Sequence, residues 1–145
     1  MRVFLTAALA ALVLVPAAQA WTWPVDGPVL QPFAFDPSHP YAAGQHRGID
    51  IGGGAGASVV APAAGTVTFA GSVPSSGNSV TIATPDGYAV TLTHLGSIAV
   101  EKGAALAEGA VVGTVGPSGD LEVAQPYVHL GIRVAAQEQD RKSVV

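Results

Sequence analysis

Past residue 20 the chain offers no helical register. No window keeps apolar residues at i, i+3, i+4 and i+7 over three turns; short β-branched runs recur instead, separated by Gly, Pro, Ser and Asn. The runs at 58–60, 65–70, 78–83, 88–93, 110–115 and 127–133 predict strands. Thr84-Pro85-Asp86-Gly87 predicts a hairpin turn, because Asp-Gly supplies the positive φ that such turns need. The stretch 101–109, bracketed by Gly103 and Gly109, reads as a loop. Turn signals spaced by roughly 8–12 residues predict an all-β fold, a sheet, sandwich or barrel, and the length suits a single domain.

The first 20 residues differ in kind. One Arg, an apolar stretch over 3–15, Pro16 and then Ala18-Gln19-Ala20 predict a secretory signal peptide with an A-x-A cleavage site. The stretch falls short of the ~18–20 residues that span a bilayer, so the signal peptide before cleavage is the one expected membrane encounter. The expectation is an exported chain, in a periplasm, a cell wall or the medium, with a globular domain over 21–139. The formal net charge is −4, and no basic run exceeds Arg141-Lys142, which argues against a nucleic-acid partner. The chain has no Cys. That excludes disulfides and thiolate ligands, leaving His and carboxylates for any metal. A small exported domain without disulfides also fits a bacterial route better than a eukaryotic one. A monomer is expected.

Four histidines carry the chemistry. His46 and Asp50 lie in Gln45-His46-Arg47-Gly48-Ile49-Asp50-Ile51, where Gly48 and the β-branched neighbours read as a turn entering a strand. Two readings stand side by side: Gly48 lets the backbone curl until both side chains converge, or His46 sits at a turn and Asp50 bonds nearby backbone N–H groups. His129 lies on a predicted strand. Period-2 alternation puts it with Tyr127 toward a groove or solvent, and Val128 with Leu130 toward the core. On the same rule His94 shares a face with Tyr88, Val90 and Leu92. His39, in Asp36-Pro37-Ser38-His39-Pro40, reads as an exposed loop residue, and Trp21 and Trp23 as edge packing. Two His and one Asp from separate strands, with a further His nearby, are the inventory of a catalytic zinc: three protein ligands and an open position.

In order along the chain stand Trp23-Pro24-Val25-Asp26-Gly27-Pro28-Val29 with Phe33 after it, the HxxxD of His46 to Asp50, Ala61-Pro62-Ala63-Ala64-Gly65-Thr66-Val67, a strand ending in Thr93-His94-Leu95, and Pro126-Tyr127-Val128-His129. With these the chain resembles the lysostaphin/LytM-like zinc metalloendopeptidases, which cut peptide bonds in bacterial peptidoglycan. The resemblance implies a compact single-domain antiparallel sheet or sandwich with an open groove, zinc as cofactor, His46, Asp50 and His129 as its ligands, His94 as a histidine that orients water or stabilises the tetrahedral intermediate, and peptidoglycan cross-links as substrate. The family's last motif is usually HxH, its first His proposed as general base; here Tyr127 takes that place. A neutral phenol, with a pKa near ~10, is a poor base at pH 7 but can donate a hydrogen bond to an oxyanion. The departure opens a second expectation, an impaired domain that binds wall material or regulates another wall hydrolase. A third, a hammerhead carrier fold modified on Lys102, lacks the flanking residues for that role. The family normally continues past its last motif. The expectation here is a domain truncated near Gln139 and an artefactual tail over 140–145.

Overall fold

The computed structural model describes residues 21–135. The signal peptide and the 140–145 tail expected above lie outside the described residues.

Nine strands form within that span: β1 (Val29–Gln31), β2 (Ile49–Gly52), β3 (Ser58–Val60), β4 (Gly65–Val73), β5 (Gly77–Ala83), β6 (Tyr88–Ile98), β7 (Ala105–Leu106), β8 (Val111–Val115) and β9 (Tyr127–Val134). They join one antiparallel sheet in the order β1-β2-β9-β6-β5-β4-β7, with β8 pairing both β3 and the far end of β6. The all-β fold is as expected. The stretch read as a loop over 101–109 contributes the two-residue β7, which pairs with Gly65 and Thr66.

Alternation builds the core. Ile51, Val128, Leu130, Leu92 and Val90 lie on one face of β2, β9 and β6 and are buried with Val59, Val67, Val80, Ile82, Leu95, Val112 and Val115. The hairpin at 84–87 forms as read: Gly87 takes φ +91°, and Thr84 and Tyr88 exchange hydrogen bonds across it.

The opposite face carries the polar residues. Asp50 pairs with His129 across β2–β9, and His129 pairs with Thr93 across β9–β6. Directly paired antiparallel residues point to the same side, so this row sets Asp50, His129 and Thr93 together on the sheet.

A bulge then alters the row. Between the pairs Asn78↔Leu95 and Val80↔Leu92, β5 has only Ser79 where β6 has Thr93 and His94. His94 sits at this extra residue with φ +60°, and its N–H donates to Ser76 O at 2.8 Å. A two-against-one bulge re-aims a side chain. His94 therefore does not share the Leu92 face, as strict alternation predicts; its ring stands against Tyr127 and His129.

Candidate metal centre

The site begins with the residue that strand pairing fixes most firmly. Asp50 is fully buried at the centre of β2. A buried carboxylate needs compensating partners. Its Oδ1 lies 3.2 Å from His46 Nε2 and 2.8 Å from His129 Nδ1, and the Gln31 amide nitrogen can donate to its Oδ2 at 3.0 Å.

His46 arrives from outside the sheet. Its backbone forms a two-way bridge with Ala34, and its Nδ1 lies 2.8 Å from Pro32 O. A carbonyl only accepts, so Nδ1 carries the hydrogen and Nε2 turns toward the other donors. This outer bond fixes the ring's tautomer and orientation. Of the two readings of the 45–51 segment, the structure has the converging one. Gly48 serves it by space, not by unusual φ: a Cβ there would fall 2.4 Å from Leu130 O and 2.6 Å from His129 Nε2.

The sequence reading missed one member of the cluster. Glu122, in the connection between β8 and β9, brings Oε2 to 3.3 Å from His46 Nε2. One ligand atom from each of His46, Asp50, Glu122 and His129 lies within 4.8 Å of all the others. Glu122 is half exposed, whereas His46 and Asp50 are buried. Gln31, with its nitrogen facing the site, also donates to Glu122 Oε2 at 3.2 Å.

The donor chemistry fits a cation. With Nδ1–H committed to Pro32, His46 Nε2 faces two carboxylate oxygens and the His129 ring at 3.2–3.3 Å. Lone pairs turned on one another are reconciled by positive charge at their centre. A tetrahedron with zinc bonds of about 2.0–2.1 Å has edges of roughly 3.3 Å, close to the 3.2, 3.2 and 2.8 Å separations within His46, Asp50 and His129.

His94 and Tyr127 stand beside this cluster. His94 Nδ1 lies 2.8 Å from Ser118 O, which makes Nδ1 the protonated nitrogen and leaves Nε2 as the acceptor. Its ring centroid is 5.1 Å from that of Tyr127 and 6.4 Å from that of His129. Tyr127 shares the His129 side but does not face solvent or an open groove: it is 1% exposed. Its hydroxyl accepts a hydrogen bond from the Glu122 backbone N–H at 3.0 Å. The other named residues stay apart. His39 pairs with Asp36 on an exposed loop, where that contact draws the Asp36 carboxyl below its usual pKa. Trp21 meets Tyr88 edge-on, in no strand.

Burial pushes the Tyr127 phenol above its ordinary pKa, with Asp50 and Glu122 adding to the shift against the Glu122 N–H. Because the folded value is the higher one, the stabilisation holds below the unfolded pKa of about 10 and is lost as pH rises through the folded value. In an absorbance titration Tyr127 is expected to ionise above the ordinary phenol range, with alkaline unfolding setting in as it does. Tyr127→Phe should remove that phenolate step. Retention of that step in the variant would assign it to another tyrosine.

The sequence and the fold have counterparts among known proteins. Residues 44–141 match the model of Peptidase family M23. Outer membrane antigenic lipoprotein B of Histophilus somni is 34% identical over 122 residues, covering 83% of this chain and 34% of that protein. Murein hydrolase activator NlpD of Salmonella typhimurium is 33% identical over 101 residues, covering 69% of this chain and 25% of that protein. The chain thus spans about a third or less of the length of these curated relatives. Among solved structures, a zinc-containing peptidase from Vibrio cholerae superposes with a TM-score of 0.69 at 25% identity, covering 81% of this chain and 37% of that one. The lysostaphin catalytic domain of Staphylococcus simulans, at 24% identity and a TM-score of 0.62, covers 75% of this chain and 79% of that one and shares its fold. The chain belongs to peptidase family M23.

Proposed function

We propose that this chain is a zinc-dependent endopeptidase acting outside the cytoplasm on peptide bonds of bacterial peptidoglycan. The observation that carries the reading is the convergence of His46 Nε2, Asp50 Oδ1 and His129 Nδ1 at near-tetrahedral spacing on one face of the sheet. Zinc, when bound, supplies Lewis-acid chemistry, polarising a carbonyl and making water acidic near neutral pH.

The protein's own groups do the rest. His46 is held by Pro32 O and His129 by the β2–β9–β6 pairing, so neither ring must reorganise on loading. His94, with Nδ1–H tied to Ser118 O, presents Nε2 as a group that can orient a water or hold a proton during attack on a substrate carbonyl. An open depression of about 460 Å³ runs past the end of β2, lined by Gly52, Gly53, Gly54, Gln125 and Pro126 among others. It adjoins Tyr127, the partner of Gly52, and suits an extended peptide lying along glycine backbone.

Tyr127 favours a second reading, a zinc-holding domain that binds wall material or regulates another wall hydrolase. A buried phenol with a raised pKa is no base at neutral pH, and its oxygen already accepts from Glu122. One relative is itself described as a murein hydrolase activator.

The test is a digest of purified peptidoglycan followed by mass spectrometry. Peptide-bond cleavage should appear with zinc, stop with chelator and fall about 10²–10⁴-fold in His94→Ala. A chain that binds zinc and yields no cleavage would transfer the case to the second reading.

A further inference from the structure

We propose that Glu122 is a fourth protein donor to the ion held by His46, Asp50 and His129, so that the resting centre is closed, with Tyr127 as the residue that positions it. The inference rests on the zinc reading above and deepens it. Three protein ligands leave a position for water or substrate; four close a zinc site.

Two observations support the assignment. The Oε2 of Glu122 stands 3.3 Å from His46 Nε2, beside 3.2 Å from that nitrogen to Asp50 and to His129 and near the edge of roughly 3.3 Å expected of a zinc tetrahedron, and it lies within 4.8 Å of the other donors. The carboxylate is also held in place. Its backbone N–H donates to Tyr127 Oη, and the Gln31 amide, oriented toward the site, bridges Glu122 Oε2 and Asp50 Oδ2. Further back, the connection is anchored by Asp120 N–H to Ser75 O and by Ser118 O to the His94 ring.

The arrangement gives Tyr127 a use. Its buried hydroxyl acts through the backbone of Glu122, so it is a positioning residue, not a catalytic one. Glu122, at 48% side-chain exposure, is the outermost of the four and the one a substrate can displace without opening the sheet.

The experiment uses the full chain loaded with zinc or cobalt(II). Zinc affinity is read by competition with a chromophoric chelator. The cobalt spectrum reads the donor set, and azide titration reads whether a coordination position is free. Glu122→Ala should weaken zinc at least about tenfold, a loss no smaller than outer-shell changes produce, and let azide perturb the cobalt spectrum at concentrations that leave wild type unchanged. Tyr127→Phe should move the spectrum and azide response part of the way toward Glu122→Ala while the chain stays folded by circular dichroism. Zinc affinity and cobalt spectrum of Glu122→Ala within twofold of wild type would overturn the assignment while leaving the three-ligand centre standing. Wild type that binds no zinc would overturn both.

Discussion

Asp50→Ala is expected to empty the metal centre, taking zinc from about one ion per chain to none retained on dialysis. Asp50 is the buried donor on which the other groups converge. Asp50 is fully buried, its partner in the ladder is His129, and one of its oxygens is within 3.2 Å of both imidazoles. His46→Ala should lose the ion as completely, but the two variants should differ in the metal-free state. Removing Asp50 takes the buried carboxylate and its desolvation cost away together. Removing His46 leaves that carboxylate buried with one nitrogen neighbour fewer, and an under-satisfied buried polar group typically costs about 1–3 kcal/mol, more when charged. Metal analysis with thermal unfolding under chelator checks both halves. Zinc held by Asp50→Ala after dialysis would show that Asp50 is not an essential donor. Equal metal-free stability of the two variants would refute the buried-charge argument.

Much of this was legible because strand registers translate directly into faces. The β-branched runs and the Thr84–Gly87 turn gave strands close to those observed, and alternation placed Val128 and Leu130 in the core. Three features escaped for identifiable reasons. β1 and the Ala34–His46 bridge lie among prolines, where no alternating run marks them, and the carbonyl that orients His46 belongs to Pro32, a backbone group no motif encodes. The face of His94 depends on how many residues β5 sets against β6, a property of the pairing and not of either strand alone. Glu122 sits in a Gly/Ser/Pro-containing connection with no ligand spacing to His46, and only the path of that connection from β8 to β9 brings it to the cluster. The one available signal was a carboxylate in the segment leading into the Tyr127–His129 strand, which is too common a pattern to single it out.

Gly48→Ala is expected to damage fold and site together. Its added Cβ would lie 2.4 Å from a backbone oxygen, Leu130 O, which cannot rotate away, and 2.6 Å from His129 Nε2. The relief must come from parting β2 and β9 at Ile49↔Leu130, beside the Asp50↔His129 pair. Overpacking of this kind typically costs about 1–3 kcal/mol, and the donors move with the strands. Zinc affinity should therefore fall with stability. Gly44→Ala is the informative control. That residue has φ +82° and nothing within 4 Å of an added Cβ, so Ala there carries a backbone penalty of roughly 1–2 kcal/mol with no contact to the centre. The expected pattern is a lowered Tm in both variants and weakened zinc only in Gly48→Ala. Wild-type zinc affinity in a folded Gly48→Ala chain would show that the close approach of β2 to β9 does not set the donor geometry.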